Sequence, residues 1–188
     1  AKREGVDTYH FIDEAASQSP PGAKRLIYLP YLSGERSPYS DPNLRACFIG
    51  LTQTHTKKDM SRAIMESVTY GMRQISMSIQ DLKQVGMSRI IVSGGGSYSD
   101  IWRQIISDVF QLPVITVSGA KEGGAYGACL VGGVASGIWG SLREACAILS
   151  EETRNDPNAS NREIYDEMFG IYNDAAPTLK PIFDRLSV

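Results

Sequence analysis

Cysteine is scarce. Cys47, Cys129 and Cys146 are the only three, scattered and odd in number, with no pair at metal-ligand spacing. That excludes a disulfide scaffold and fits a reduced, cytoplasmic chain with buried free thiols. Charge of one sign is also lacking: 19 Lys and Arg against 21 Asp and Glu leave a net charge of -2. With no basic run and no aromatic-basic interleaving, nothing points to a nucleic-acid partner. No apolar run reaches the ~20 residues of a spanning helix, so no membrane partner is expected. The most apolar stretch, "AYGACLVGGVASGIWG" (125–140), is shorter and crowded with glycine, and it reads as a small-residue helix packed closely on a sheet. The opening "AKREGVDTYHF" is too polar for a signal peptide. The chain starts on Ala1 rather than methionine, as a fragment or a processed chain would.

What is present is a core. Of the 188 residues, 42% are hydrophobic, enough for one domain, or one domain plus a small appendage. Residues 1–21 are polar and end in "SQSPPG", and they read as a linker or the remnant of a preceding segment. "RLIYLPYLSG" (25–34) reads as a buried strand broken by Pro30, and "SGERSPYSDPNLRA" (33–46) as a long surface loop in which Glu35 and Arg36 form an ion pair or line a cleft. Thr56 and Asp59 have capping-box spacing before a helix to about Gln84, with Met60, Ile64, Val68, Met72, Ile75, Ile79 and Leu82 on one face and Gly86 ending it. His55 should lie exposed ahead of it.

From residue 89 the order is strand ("RIIVS"), helix to Phe110, strand ("PVITV"), helix. That is a βαβ pattern with two parallel strands. Ser97 and Asp100 are spaced to cap the first of these helices, whose Trp102, Ile105, Ile106 and Val109 turn inward, Trp102 as core rather than as an adenine stack. Ser141 and Glu144 cap a short helix, "EETRNDPNASN" reads as a polar loop, and Ser160 and Glu163 cap a last amphipathic helix that Pro177 ends or kinks.

Between the first strand and its helix lie Gly94, Gly95 and Gly96. Three glycines in a row cost conformational entropy, so a ligand approaches the backbone there or the chain turns as other residues cannot. At the carboxyl end of a parallel strand, free amides and a helix N-terminus make an anion site, and a packing turn is the alternative. A Walker A loop is excluded, since no Gly-Lys-Ser/Thr follows. A G-x-G-x-x-G fingerprint fails at Ser99, and no acid stands about twenty residues on, where position 116 is Thr. A second glycine element, Gly123 and Gly124 in "GAKEGGAYGACLVG", lies just after the second strand. The two turns face one ligand from two sides, or these glycines serve helix-on-sheet packing.

Three stretches resemble the carboxyl-terminal domain of the FGGY family of carbohydrate kinases: "LPYLSGERSPYSDPNLRACFIGLT", "SGGGSYSDIWRQIISDVFQLPV" and "EGGAYGACLVG". Ala46, Phe48, Gly50, Leu51, Asp59, Met60, Ala63, Ile64, Met65 and Glu66 also match the family's second signature at its spacing. The resemblance covers residues 22 to 140 well and the last helices loosely. It implies an α/β, actin-like (ribonuclease H-like) ATPase domain, its sheet flanked by helices, over residues 22–188. It also implies transfer of the γ-phosphoryl of ATP, with Mg2+, to a sugar hydroxyl. Xylulose is the sugar nearest the overall likeness, and ribulose, gluconate and glycerol stay open. Nucleotide would contact Gly94, Gly95, Gly96, Ser97, Ser99, Glu122, Gly123 and Gly124. No catalytic residue is assigned. The family's aspartate base precedes the "LPYLSGERSP" loop, and neither Asp7 nor Asp13 has its context. The amino-terminal kinase domain and the first strands of the sheet are not in this sequence, so the chain alone is expected to be inactive. A homodimer is an analogy the family offers. A sugar-responsive, non-catalytic regulator on the same fold is the alternative, and a dinucleotide-binding oxidoreductase domain a weaker one.

Overall fold

Helix α2 (Lys57–Lys83) is the spine against which the other elements pack. The computed structural model describes residues 8–83 and 86–187. The turn expected at Gly86 adjoins residues 84–85, and the side chain of Leu82 also lies outside what is described.

The buried face of α2 is not the apolar stripe that periodicity predicts. Ile64 and Ile79 are 42% and 52% exposed, whereas Asp59, Arg62, Glu66, Thr69 and Tyr70 are buried. Arg62 and Glu66 are joined with Tyr165 in one hydrogen-bonded network, while Glu66 Oε2 and the Tyr70 hydroxyl are buried without a hydrogen-bond partner among the described residues. Arg62 Nε donates to Glu66 Oε1 at 2.8 Å, and Arg62 Nη2 donates to the Tyr165 hydroxyl at 2.7 Å. Tyr165 donates to Glu66 Oε1 at 3.0 Å, and the Gly22 amide donates to the same oxygen at 2.9 Å. A buried charge is tolerated when it is paired and hydrogen-bonded in this way. Burial pushes the Glu66 carboxyl up, against the pull of Arg62.

The network ties in the segment expected to be a linker. Residues Thr8–Ser17 form α1, which packs on α2, and Arg62 Nη1 donates to the Ser19 carbonyl at 2.9 Å. Gly22 (φ 76) then opens a left-handed turn over Ala23–Arg25. Asp59 secures it from α2, accepting from Ser19 Oγ at 2.8 Å and Lys24 Nζ at 3.1 Å. The capping box at Thr56 forms in part: the Thr56 amide and hydroxyl both donate to Asp59 Oδ2, at 2.8 and 2.9 Å. His55 is half-buried rather than exposed, its Nδ1 accepting from the Thr52 amide at 2.9 Å.

Strands β1 (Ile27–Leu29) and β2 (Cys47–Ile49) pair antiparallel in a two-stranded ladder. Between them the loop bends back through a bridge from Glu35 to Asp41. Glu35 accepts from the Arg36 and Ser37 amides, at 2.7 and 3.0 Å, and no ion pair to Arg36 is present among the described residues. The second sheet has the order β3 (Ile90–Ile91), β4 (Val114–Val117), β5 (Glu151–Asn155). The βαβ unit forms as the sequence indicates: β3 and β4 are parallel, with Ile90 opposite Val114, and α3 (Asp100–Phe110) connects them. The expected polar loop holds β5, antiparallel to β4, with Thr116 and Thr153 hydroxyls 2.8 Å apart. Its charged sequence is that of a sheet edge, where Glu and Arg are tolerated. At the other edge, β3 has no second partner among the described residues.

Helix α6 (Arg162–Leu186) runs on through Pro177 and Pro181. Its inner face, with Tyr165, Met168, Phe169, Tyr172, Ala176 and Phe183 buried, packs against β1 and α3, and this packing overrides the lost helix bonds. Its cap is not at Ser160. Asn158 instead caps a short turn ahead of the helix. Ser141 caps α5 (Leu142–Cys146) as expected, accepting from the Glu144 amide at 3.2 Å.

The small-residue helix α4 (Gly124–Ala135) is not packed on a sheet. Only Leu130 and Gly133 are buried, and Val131 is 56% exposed. Gly133 instead admits Trp139, whose ring lies 2.2 Å from where a Cβ would stand. All three thiols are free, but Cys47 is half-buried and Cys129 and Cys146 are exposed. No helix among the described residues is long and apolar enough to cross a membrane.

Candidate functional site

The three glycines differ in what their positions require. Gly94 has φ 76 and ψ -162, a backbone region essentially closed to other residues. A Cβ at Gly96 would stand 2.6 Å from the Trp102 ring, so Gly96 is small for packing. At Gly95 a Cβ would meet nothing within 4 Å, and the residue is exposed. Neither backbone strain nor packing requires a glycine there.

Residues Gly95–Tyr98 form a short helical turn between β3 and α3. Its hydroxyls are committed to holding it. Ser97, buried, donates to the Gly94 carbonyl at 2.7 Å. Ser99, also buried, caps α3 by accepting from the Trp102 amide at 3.1 Å, so the cap lies at Ser99 and not at Ser97. Trp102 packs against the core, and its Nε1 donates to Thr69 Oγ1 at 3.2 Å. At the start of such a turn the first amides have no backbone acceptor within it, and here those belong to Gly95 and Gly96.

The second glycine element abuts the first. Gly119 (φ 77) and Gly123 (φ 53) bracket a turn over Ala120–Glu122 that leads into α4. The Gly94 amide donates to the Ala120 carbonyl at 2.8 Å. A Cβ at Gly123 would stand 3.5 Å from Gly94 Cα. The two turns are thus in contact, and the first amides of α4, from Gly124 on, have no backbone acceptor within that helix, whose positive end lies there. Gly124, like Gly95, has open space where a Cβ would be. Glu122 is exposed on this turn.

Several neighbours of this site escape a reading of the sequence. Lys121 Nζ lies 5.5 Å from the centre of the Tyr98 ring, across the junction of the two turns, and has no carboxylate partner among the described residues. Arg103 is buried behind the turn and donates to the Ser97 carbonyl. Both line a cavity of about 260 Å3 with Ser97, Tyr98, Thr116 and Glu152. On the α2 side of Gly96 a second, apolar cavity of about 280 Å3 is lined by Met72, Ile91, Val92 and Trp102. No group of three His, Cys, Asp or Glu residues among those described can hold a metal ion. Asp7 lies outside the described residues, and Asp13 sits on α1.

Residues 3–136 match the profile of the FGGY family of carbohydrate kinases, C-terminal domain. The gluconokinase of Bacillus subtilis (strain 168) is 33% identical over 187 residues, which is 100% of this chain and 34% of that protein. The xylulose kinase of the same organism is 35% identical over 159 residues, 82% of this chain and 31% of that protein. Among solved structures, ligand-bound xylulose kinase from Lactobacillus acidophilus superposes with a TM-score of 0.84 at 28% identity, covering 96% of this chain and 36% of that one. Gluconate kinase from the same organism gives 0.83 at 28%, covering 97% and 37%. The fold is thus the actin-like α/β one that the resemblance implies. The chain spans about a third of the length of the curated relatives it matches.

Proposed function

We propose a role that starts from one premise: the chain belongs to the FGGY family of carbohydrate kinases, as the C-terminal domain. In our reading the intact protein transfers the γ-phosphoryl of ATP to a sugar hydroxyl, and this chain supplies part of the nucleotide half. The observation that carries this is the junction of the two glycine turns, joined by the bond from Gly94 to Ala120. We read it as bringing the first amides of the two turns, those of Gly95, Gly96 and Gly124, to one ligand, with Lys121, which has no carboxylate partner among the described residues, at the edge. Such a surface fits a polyphosphate.

Within that reading Gly94, Gly96, Ser97 and Ser99 shape the turn, Gly95, Gly123 and Gly124 let phosphate approach the backbone, and Glu122 stands at the cleft wall. Phosphoryl transfer forms a bond from the sugar oxygen to the γ-phosphorus and breaks the bond to the β,γ-bridging oxygen. The hydroxyl proton goes to a carboxylate that we place outside this chain. Mg2+ fits as an ion held by the phosphates with one or two carboxylates, which needs no dedicated cage in this domain.

The edge of β3, unpaired among the described residues, and the uncovered face of α4 support the further reading that the chain is an incomplete kinase domain, one that takes in α1 as well as residues 22–188. Its partner is the amino-terminal kinase domain, with the first strands of the sheet. We place the intact enzyme in the cytoplasm. Xylulose is the sugar we favour. The names of the relatives make gluconate its first competitor. No observation favours the regulator or the oxidoreductase reading.

The test has two parts. The chain is incubated with Mg-ATP and xylulose or gluconate, and phosphorylated sugar is measured; none is expected. Mg-ADP is then titrated into it by calorimetry; weak saturable binding is expected. Sugar phosphorylation by the chain alone contradicts the placement of the base, and no binding at millimolar Mg-ADP contradicts the phosphate junction.

A further inference from the structure

We propose that Arg103 is a positioning residue for the glycine turn, holding it in the form that receives phosphate without touching the ligand. This rests on the nucleotide reading of the turn given above. Arg103 lies on α3 and is 8% exposed. A buried guanidinium is costly unless every N–H face is matched, and here the matching follows the geometry of the fork. Nη1 donates to the Ser97 carbonyl, in the middle of the turn. Nη2 donates to Asp100 Oδ1 at 2.9 Å, and Nε to Asn155 Oδ1 at 3.0 Å.

The partners are themselves fixed. Asn155 ends β5, and its Nδ2 donates to Asp100 Oδ1 at 3.1 Å and to Gln104 Oε1 at 3.2 Å. The Ser97 hydroxyl meanwhile holds the Gly94 carbonyl at 2.7 Å. Glycine turn, α3 and β5 are thus closed into one ring of hydrogen bonds with Arg103 at its centre. The ring grips the turn by its carbonyl side and leaves the amides of Gly95 and Gly96 open. A run of three glycines has the largest conformational freedom of any backbone, and ordering it on binding weakens affinity. Arg103 supplies that order in advance. A lysine cannot replace it, because one ammonium lacks the planar fork that reaches three acceptors at once.

The test uses the 188-residue chain with Arg103→Met, Arg103→Lys and Asn155→Ala. Amide hydrogen exchange is followed over residues 93–99 and over α2, and the Kd for Mg-ADP is measured by calorimetry. The proposal expects Arg103→Met to speed exchange in the turn and to weaken Mg-ADP, each about tenfold or more, while α2 is unchanged. Arg103→Lys stays weakened, and Asn155→Ala moves both readouts in the same direction by less. Should Arg103→Met fail to fold, Asn155→Ala carries the test. Unchanged exchange in the turn overturns the proposal. So does exchange that rises equally in α2, which marks general destabilisation, or an unchanged Kd with a loosened turn. A wild-type chain that binds no Mg-ADP, with a turn that Arg103→Met loosens selectively, defeats the nucleotide reading and leaves Arg103 as the residue that orders the turn.

Discussion

The Gly94 amide donates to the carbonyl oxygen of Ala120 at 2.8 Å. This bond joins two turns that are 26 residues apart in the chain, and it makes one surface out of two glycine elements. Each turn alone exposes the open amides of one helix start. Together they can face one polyanion from two sides, with the positive end of α4 and the charge of Lys121 added.

Gly95 and Gly96 are expected to respond oppositely to a methyl group. Gly96→Ala drives a Cβ into the Trp102 ring at 2.6 Å and should cost about 1–3 kcal/mol of stability. Gly95→Ala meets open space and should stay within about 0.5 kcal/mol. Urea midpoints of the two variants decide it. Equal losses would contradict the division of roles.

The Ser99 hydroxyl caps α3, so Ser99→Ala should lower stability by about 1 kcal/mol. Ser97→Ala removes instead a bond to the Gly94 carbonyl and should loosen the turn. Hydrogen exchange resolves the pair: the first variant affects the start of α3, the second the segment ahead of it. An identical pattern would show that the cap is misassigned.

Glu66→Ala leaves Arg62 buried without its carboxylate, a change that typically costs about 3–5 kcal/mol. Loss of the Tyr165 and Gly22 bonds adds to it. A shift of less than about 1 kcal/mol in urea would mean that the network contributes little.

Asp59 sets an acid limit. Burial alone would raise its carboxyl, but bonds from the Thr56 amide, Ser19, the Thr56 hydroxyl and Lys24 outweigh this and hold it well below its ordinary value of 3.8. A carboxyl with a depressed folded pKa stabilises the fold above its unfolded pKa, and the contribution fades as pH falls below that value toward the folded one. Thermal stability should therefore decline below about pH 4, and Asp59→Asn should flatten that decline. A wild-type profile parallel to that of Asp59→Asn would contradict the assignment.

Much of this fold is legible in the sequence, and the failures have physical causes. The βαβ unit shows because β-branched runs, glycine turns and an apolar helix face are local signals. The face of α2 is misread because its buried residues are charged, and their partner Tyr165 lies 99 residues away from Glu66. Strand β5 looks like a loop because "EETRN" is an edge strand, paired on one side only. Pro177 fails to end α6 because tertiary packing holds the helix on both sides of it. At the glycine turn, Gly94, Gly95 and Gly96 are visible in the sequence, but which of them serve backbone conformation, packing or open space shows only with Trp102 in place. Arg103 does not stand out in the sequence, since an arginine in an amphipathic helix reads as a solvated charge until Asn155 and the Ser97 carbonyl are seen around it.

The central claim is that the junction of the two turns binds the phosphates of a nucleotide, and Gly95 is where it is most exposed to test. Titration of Mg-ADP into the wild-type chain and into Gly95→Val, both checked for equal folding, is the direct measurement. Saturable binding by the wild type that Gly95→Val abolishes is the predicted result. Equal affinity in the two would place any nucleotide elsewhere and contradict the account.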